Sequence, residues 1–558
     1  MASGINYIDS LLSGSKWGSK TITYSFRNEA AWIPTSPDED DNFKPFTEVQ
    51  KNATRQVLKL WEEVSGLKFQ EVSETLLGGG DIRFGTAALS EGSAHAYYPG
   101  PLGGGDVWLN NKVSSNNQPL PGSFGFLTLI HEIGHALGLK HPGNYNAGGG
   151  GTPGPYLPAS QDSAQYTVMS YNGSGGGTRY TGSDVSPQTP QLYDIAAIQH
   201  LYGANNSTRT GNDTYSWDAN KAFVQTIWDA AGNDTISAAN QTLAATINLN
   251  AGSFSSIGPR SNFSSIPAKN NLAIAYKVTI ENAVGGSGND TIIGNSVANK
   301  LSGNAGNDTL NGGAGNDTLN GGVGNDTLNG GAGLDELIGG SNNDLYILDS
   351  VESVFNIGDL FATNVYDKVT ELSQGGIDTV KVSAKDNSFL SRGYTLAANV
   401  ENLELTGPAT NGNGNELNNI IKGNNLSNTL SGGKGNDILY GYDGSDFLVG
   451  NGGSLNEKDI LIGGSSSDTF VLGDLSQIFY YNTGDSYATI TDWQVGVDKI
   501  QVKAGNYTLT EGNFGLGSSI TLDTGLYYNN DIIAYIQDIG KNQINMQQDF
   551  ISLTPSAI

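Results

Sequence analysis

The chain contains no cysteine, which excludes disulfides, an iron–sulfur cluster and a zinc site built on thiolates. Charge is scarce as well: Asp, Glu, Lys and Arg make up 15% of the residues, against a usual ~25%. Basic residues are the scarcer kind, 28 Lys and Arg against 55 Asp and Glu, for a formal net charge of −27. A chain of that sign lacks the clustered Lys and Arg that nucleic-acid phosphates require; it favours cation binding or plain solubility. No apolar run approaches the ~20 residues of a membrane helix. The opening MASGINYIDS has neither the basic nor the apolar region of a secretory signal peptide. A Cys-free chain can pass an export channel unfolded with no thiol to oxidise. Methionine is reduced to three residues, Met1, Met169 and Met546. What abounds is glycine, 77 of 558 residues, about twice the usual share. The length suits three or four domains of about 150 residues each.

The two halves differ in texture. Residues 1–205 hold all five His and four of the seven Trp. Thr21–Phe26 alternates as a strand. Phe46, Val49, Ala53, Val57, Leu60, Trp61 and Val64 recur at helical spacing, with Gly66 as the stop beyond the C-terminus. Short β runs follow at Leu67–Val72, Asp81–Phe84, His95–Tyr98 and Asp106–Leu109. A second helix is predicted over Phe124–Leu137, ended by Gly138. A third takes Thr189 as N-cap and Pro190 as its first residue, and runs through Tyr202 to Gly203.

The second half carries an internal repeat. Gly285–Ile347 divides without insertion into seven units of nine: GGSGNDTII, GNSVANKLS, GNAGNDTLN, GGAGNDTLN, GGVGNDTLN, GGAGLDELI and GGSNNDLYI. A looser array runs from Gly414 to Val471, interrupted by a longer unit at Gly450–Ile462. In each unit the glycines allow a tight turn with converging carbonyls, the Asp offers a carboxylate, and T-L-N makes a short strand with one inward apolar residue. A single unit buries too little to fold. Stacked units make a coil with an inner apolar ladder and outer rows of oxygen ligands, which suit Ca²⁺. The candidate ligands are Gly286, Gly288 and Asp290; Gly303, Gly306 and Asp308; Gly313, Gly315 and Asp317; Gly322, Gly324 and Asp326; Gly331, Gly333 and Asp335; Asp344; and, in the second array, Asp437 and Asp446. Gly285–Ile347 holds seven acidic residues and one Lys, Lys300, so without cations the stacked Asp rows repel. The unbroken period and fixed Asp register argue against a flexible linker. These units match the nonapeptide GGxGxDxUx and resemble the repeats-in-toxin (RTX) parallel β-roll.

The chemistry sits in HEIGHALGLKH, His131–His141. His131 and His135, four apart on a helix, share a face and can bind one Zn²⁺. Gly138 breaks the helix so that His141 returns as a third ligand. Three protein ligands leave a fourth position for water, as in catalytic zinc sites. Glu132, beside a ligand but off the ligand face, is placed to accept the water's proton.

HExxHxxGxxH is the metzincin motif, matched here in full. Met169, in TVMSYN 28 residues after His141, resembles that family's Met-turn beneath the zinc. MSY resembles the serralysin subgroup, in which the tyrosine is a fifth zinc ligand that swings aside and hydrogen-bonds the oxyanion; Tyr171 takes that role by resemblance. SGSKWGSKTITYSF, DIAAIQHLYGAN, TIWDAAGNDTI and VTIENAVGGSGND are similar to serralysin segments in the expected order. The resemblance implies calcium ligands at Asp229 and Asp234, with Ala231 at a usual Gly position, and at Thr279 and Glu281. The segment Arg209–Asp213 is one residue longer than the family's Arg-x-x-Asp pattern. Domain-like sequence begins near Ile5, leaving almost no propeptide to remove. Asp549-Phe550-Ile551 fits an uncleaved type I secretion signal, but Ser-Leu-Thr-Pro-Ser-Ala-Ile follows it.

The expected fold is thus an α+β metzincin catalytic domain at 1–205 followed by an all-β parallel β-roll. A β linker spans 206–284, the first RTX array 285–347, a β-rich spacer 348–413, the second array 414–471 and a C-terminal β segment 472–558. The expected function is a secreted, monomeric zinc endopeptidase with one catalytic Zn²⁺ and several structural Ca²⁺, acting on proteins or peptides and exported by a type I apparatus. The alternative is a non-enzymatic calcium-binding RTX surface protein, which the intact Glu132 and three His disfavour. His95 and His200 are read as structural or solvated.

Overall fold

The alternation over Thr21–Phe26 becomes a strand, β1, with Ile22 and Tyr24 buried. The structure is a computed structural model and describes residues 2–28, 42–75, 78–101, 103–146, 151–173, 184–349, 352–354, 363–383 and 393–554. With β1 run β2 (Lys68–Glu71), β3 (Ile82–Ala87), β4 (Ala94–Ala96) and β5 (Val107–Asn110), in the order β2-β1-β3-β5-β4. All are parallel except β4, which lies antiparallel to β5. The chain divides into two compact units, Met1–Ile293 and Gly294–Ile558.

In the first unit a short helix α1 (Asn6–Asp9) precedes α2 (Glu48–Val64), which opens on a reciprocal cap. Thr47 Oγ1 accepts from Gln50 N at 3.3 Å, and Gln50 Oε1 accepts from Thr47 N at 2.9 Å. Ala53, Val57, Leu58, Trp61 and Val64 face inward, whereas Val49 lies outside, 47% exposed. Gly66 does not stop α2 through a left-handed turn. Ser65 is already extended (φ −131°), and a Cβ on Gly66 would meet Tyr202 O at 2.7 Å. Close backbone approach, not φ, makes that residue glycine.

Helix α3 (Phe124–Ala136) is capped by Ser123, whose Oγ accepts from Phe126 N at 3.2 Å. Its residues from Gly125 to Ala136 are all buried, as its apolar composition on every face requires. Helix α4 (Leu192–Tyr202) starts two residues later than the Thr189-Pro190 reading. Its cap is Gln191, because the Asp194 carboxylate takes the Gln191 N–H at 2.8 Å, while Thr189 Oγ1 accepts from Thr226 N instead.

The nonapeptides of the second unit build the expected coil. Lys300–Ala305, Thr318–Val323 and Glu336–Ser341 stack in parallel, pairing Leu301 with Leu319 and Leu319 with Leu337. Thr309–Ala314, Thr327–Ala332 and Leu345–Leu348 form the opposite ladder, with Leu310, Leu328 and Tyr346 in register. Neighbours along a ladder are 18 residues apart, so two nonapeptides make one turn. Leu301, Leu310, Leu319, Leu328 and Leu337 are fully buried. The spacer continues the stack: Thr379–Val382 pairs with Leu345–Leu348 on one side and Asn402–Leu405 on the other, and the latter pairs with Ile420–Lys422. Beyond the second array the ladder through Tyr487–Ile490 ends in an antiparallel meander of Tyr507–Gly512, Asp523–Tyr528 and Asp531–Ile536.

Candidate metal centre

Helix α3 carries His131 and His135 one turn apart. Gly138 then adopts φ +105°, where a Cβ would meet Ser15 O at 2.3 Å; the chain turns back and delivers His141. The three Nε2 atoms converge, 3.1 Å from His131 to His141 and 3.0 Å from His135 to His141. Each Nδ1 faces a carbonyl and so carries the ring proton: His131 donates to Val168 O at 2.7 Å, His135 to Leu139 O at 2.7 Å, and His141 to Tyr145 O at 3.1 Å and Asn146 Oδ1 at 2.7 Å. Three lone pairs therefore point at one another across about 3 Å, an arrangement that calls for an electron-pair acceptor between them. Burial favours the neutral rings: it lowers His131 to about 3, with help from His141, and lowers His135 and His141 too. The residues present fit a single metal ion.

Glu132 is 5% exposed, and its Oε2 has no hydrogen-bond partner. Burial pushes its carboxyl up to about 8. It lines a cleft of about 170 Å³ with His131, Thr128, Val168 and Tyr171. The Tyr171 ring sits 4.4 Å from His141 and stacks on His131 at 5.7 Å, and the residue is 39% exposed. Met169 is fully buried against α3: a Cβ on Gly134 would lie 2.6 Å from its Sδ. His95 and His200 lie outside the cluster.

Several supporting residues escaped the sequence reading. Asp194 Oδ2 accepts from Val168 N at 2.7 Å, and Val168 O in turn accepts from His131 Nδ1, so α4 orients a ring on α3 through the Met169 segment. Asp194 Oδ1 accepts from Thr167 Oγ1 at 2.5 Å. Tyr145 stacks on Tyr171 at 5.1 Å and donates its hydroxyl to Asp162 Oδ1 at 2.6 Å. The sequence signal for Asp194 was only its place in the first turn of a helix. Tyr145 and Asp162 had none, because their partners lie 17 to 26 residues away.

Away from this centre the carboxylates gather in a regular way. Asp229 and Asp234 meet Asp213, the end of the segment with the extra residue, with ligand oxygens within 4.8 Å of one another. Glu281 Oε2 accepts from Asp234 N at 2.7 Å, and Thr279 is exposed two residues before it. Along the roll, Asp317, Asp326, Asp335, Asp344, Asp437 and Asp446 each use Oδ1 to accept the backbone N–H of the residue 18 positions earlier, as Asp317 does from Asn299 and Asp335 from Asp317, both at 2.7 Å. The second oxygens of Asp317, Asp326, Asp344, Asp437, Asp446 and Asp468 are buried with no hydrogen-bond partner. The first glycine of each unit lies against its own Asp: a Cβ on Gly312 would be 2.2 Å from Asp317 Oδ2, and one on Gly321 would be 2.4 Å from Asp326 Oδ2. Gly315 and Gly333 hold φ of +119° and +135°, which a side chain resists.

Asp290 departs from this pattern. Both its oxygens accept backbone N–H groups, from Ala245 at 2.6 Å and Gly286 at 2.5 Å. Where Asn replaces Asp, the side chain satisfies the turn itself: Asn419 Oδ1 accepts from Asn415 N at 2.8 Å, and its Nδ2 donates to Val400 O and Glu401 O. Past the first array, Glu371 and Asp378 join Asp344, with ligand oxygens within 4.8 Å. Those two residues were not visible as partners because no repeat unit contains them.

A His triad on a buried helix beside a mostly parallel sheet, joined to a stack of nonapeptide turns, defines a metzincin-type domain with a parallel β-roll. Residues 193–520 match the family profile described as peptidase M10 serralysin C terminal, and residues 16–147 match the one described as matrixin. The chain belongs to the serralysin family of M10 peptidases. It is 41% identical over 296 residues to serralysin C of Dickeya chrysanthemi, a stretch covering 49% of this chain and 59% of that protein. It is 36% identical over 319 residues to metalloprotease AprA of Pseudomonas entomophila, covering 52% and 63%, and 39% identical over 280 residues to serralysin of Proteus mirabilis, covering 45% and 55%. The chain thus spans less than two thirds of the length of each of these relatives. No helix among the described residues is long and apolar enough to cross a membrane.

Proposed function

We propose that this protein is a secreted zinc-dependent endopeptidase that hydrolyses peptide bonds of extracellular proteins, with a C-terminal half that folds on Ca²⁺. The observation that carries this reading is the convergence of three Nε2 lone pairs beside the unpartnered Glu132 carboxylate in one cleft. His131, His135 and His141 would hold the zinc. When bound, zinc supplies a Lewis acid for the scissile carbonyl, lowers the pKa of the attacking water towards ~7 and favours the ionised form of a neighbouring carboxylate. Hydrogen bonds from Nδ1 keep each imidazole in the tautomer that presents Nε2 to the metal. Glu132 takes the water's proton and hands it to the leaving amine. The Tyr171 hydroxyl donates to the oxyanion, in keeping with the family's tyrosine, which is a fifth zinc ligand at rest; the stacked Tyr145 limits where its ring can go. Digestion of casein with and without a zinc chelator tests the reading. Digestion that survives the chelator, or none by the zinc-loaded protein, would reject it.

Two outcomes follow for residues around the centre. Tyr171→Phe should lower kcat about 10²-fold, the usual loss for one oxyanion donor, with KM little changed; unchanged kcat would remove Tyr171 from catalysis. Met169→Leu should keep zinc and much of the activity, because the thioether fills space against Gly134 and is not a ligand. X-ray absorption showing a sulfur scatterer at the zinc would contradict that role.

In the roll, the unpartnered Asp oxygens and the adjacent glycine carbonyls would hold Ca²⁺ between successive turns, as would the Asp213–Asp229–Asp234 and Asp344–Glu371–Asp378 groups. All are hard oxygen donors. Export in a low-calcium compartment as an unfolded, Cys-free chain through a type I apparatus, and work as a monomer outside, are consistent with this chemistry.

A further inference from the structure

The second array contains one turn that the nonapeptide does not encode. Regular turns join Asp N–H to the next Asp Oδ1 across 18 residues, as from Asp317 to Asp335, but Asp437 N reaches Asp459 Oδ1, at 2.8 Å, across 22. The four extra residues leave Gly452, Gly453, Leu455 and Asn456 at the surface. They bring Glu457 in to 2% exposure beside Asp437 and Asp459, both fully buried. The three carboxylates offer oxygens within 4.8 Å of one another.

Their hydrogen bonds leave the group short of positive charge. Glu457 accepts from Gly452 N and Ser454 N, both at 3.0 Å, and Asp459 Oδ2 accepts from the Tyr480 hydroxyl at 2.6 Å. Asp437 Oδ2 has no partner. The nearest lysines in the sequence are committed elsewhere, Lys458 to Asp485 and Lys434 to Glu416. Among the described ion pairs none involves these three acids. Three buried carboxylates do not share such a space in ionised form without a counter-charge.

We propose that Asp437, Glu457 and Asp459 form a Ca²⁺ site created by the insertion, with Tyr480 holding Asp459 in place as a positioning residue. The inference rests on reading the roll as a calcium stack, and it adds a site of a different kind. An ordinary junction has two carboxylates, such as Asp317 and Asp335; this one has three. Affinity for calcium rises with ligand charge, so this site, like the Asp213–Asp229–Asp234 and Asp344–Glu371–Asp378 groups, fills before the two-carboxylate junctions. An all-oxygen donor set without His or Cys excludes a preference for zinc. Mg²⁺ keeps several waters, which acids buried to 2% or less leave little room to admit.

Two measurements on the full chain test this. In crystals grown with CaCl₂, the anomalous difference map should show a peak among the three carboxylates, with oxygens at ~2.3–2.6 Å. Peaks at the array turns but none here would overturn the proposal and leave the calcium roll intact; no calcium at any turn would overturn both. In calorimetric titration with CaCl₂, Glu457→Gln should weaken one of the tight sites by about tenfold or more while the remaining sites titrate as before. Asp326→Asn should instead remove one weaker site. A Glu457→Gln titration identical to that of the unaltered chain would overturn the proposal.

Discussion

Glu132→Ala is expected to abolish nearly all proteolysis while zinc content and fold stay as they were. The metal would be held by Nε2 atoms of three residues, none of which bonds to Glu132 in the structure. The Glu132 carboxylate is buried with an unpartnered oxygen, so its removal relieves a desolvated group and costs little stability. What would be lost is the group proposed to accept the water's proton and return it to the amine. A positioned acid–base catalyst contributes about 10²–10⁴-fold, and here one group serves both transfers, so the loss belongs at or beyond the upper end. Zinc content by atomic absorption and casein turnover on the same sample check it. Substantial residual turnover in zinc-loaded protein would reject the assigned role.

Removal of calcium is expected to unfold the roll. Each nonapeptide buries a single apolar side chain, such as Leu310, Leu319 or Leu328, while its Asp faces the same row as the Asp 18 residues on. Without cations the cost falls on the carboxylates. Burial pushes Asp317 and Asp446 up to about 6, Asp468 to about 7 and Asp344 to about 8. The unfolded chain releases these protons near the ordinary aspartate value of 3.8. Between that value and the folded ones the native state binds more protons, so metal-free stability falls as pH rises. It is greatest below about pH 4, as far as these groups go, and is lost through about pH 6 to 8. Far-ultraviolet circular dichroism of the full chain in EGTA at pH 8 should therefore show loss of β structure, and acidification to pH 5 should restore part of it. With calcium the order reverses: ions replace protons, β structure is full at pH 8, and affinity weakens on acidification as protons compete. A fully folded spectrum in excess EGTA at pH 8 would sink this account.

The parts of the protein written in its sequence are those with a short period. His131 and His135 meet because a helix brings residues four apart onto one face, and His141 joins them because Gly138 is the one residue type at ease at φ +105°. The roll is equally local: a unit of nine repeated without slip dictates the buried apolar ladder and the Asp rows, whereas the strand pairing shows that two units make one turn. Helix α2 was legible in its apolar spacing, although Val49 falls outside the buried stripe.

Tertiary structure decided whatever joins segments across a distance that no period marks. The cap of α4 moved from Thr189 to Gln191 because Asp194 takes the Gln191 N–H while the Thr226 N–H, brought in by packing, occupies Thr189 Oγ1. The link from Asp194 through Val168 to His131, and the Tyr145–Asp162 support behind Tyr171, join residues with no common repeat. Asp290 has the repeat's spelling but spends both oxygens on backbone N–H groups, whereas Asp213, Glu371 and Glu457 lie outside the repeats and stand among carboxylates all the same. Spacing along a chain determines which side chains share a face of a helix or a coil. Which oxygen is left without a partner depends on every neighbour that packing brings to it, and only the folded structure specifies those.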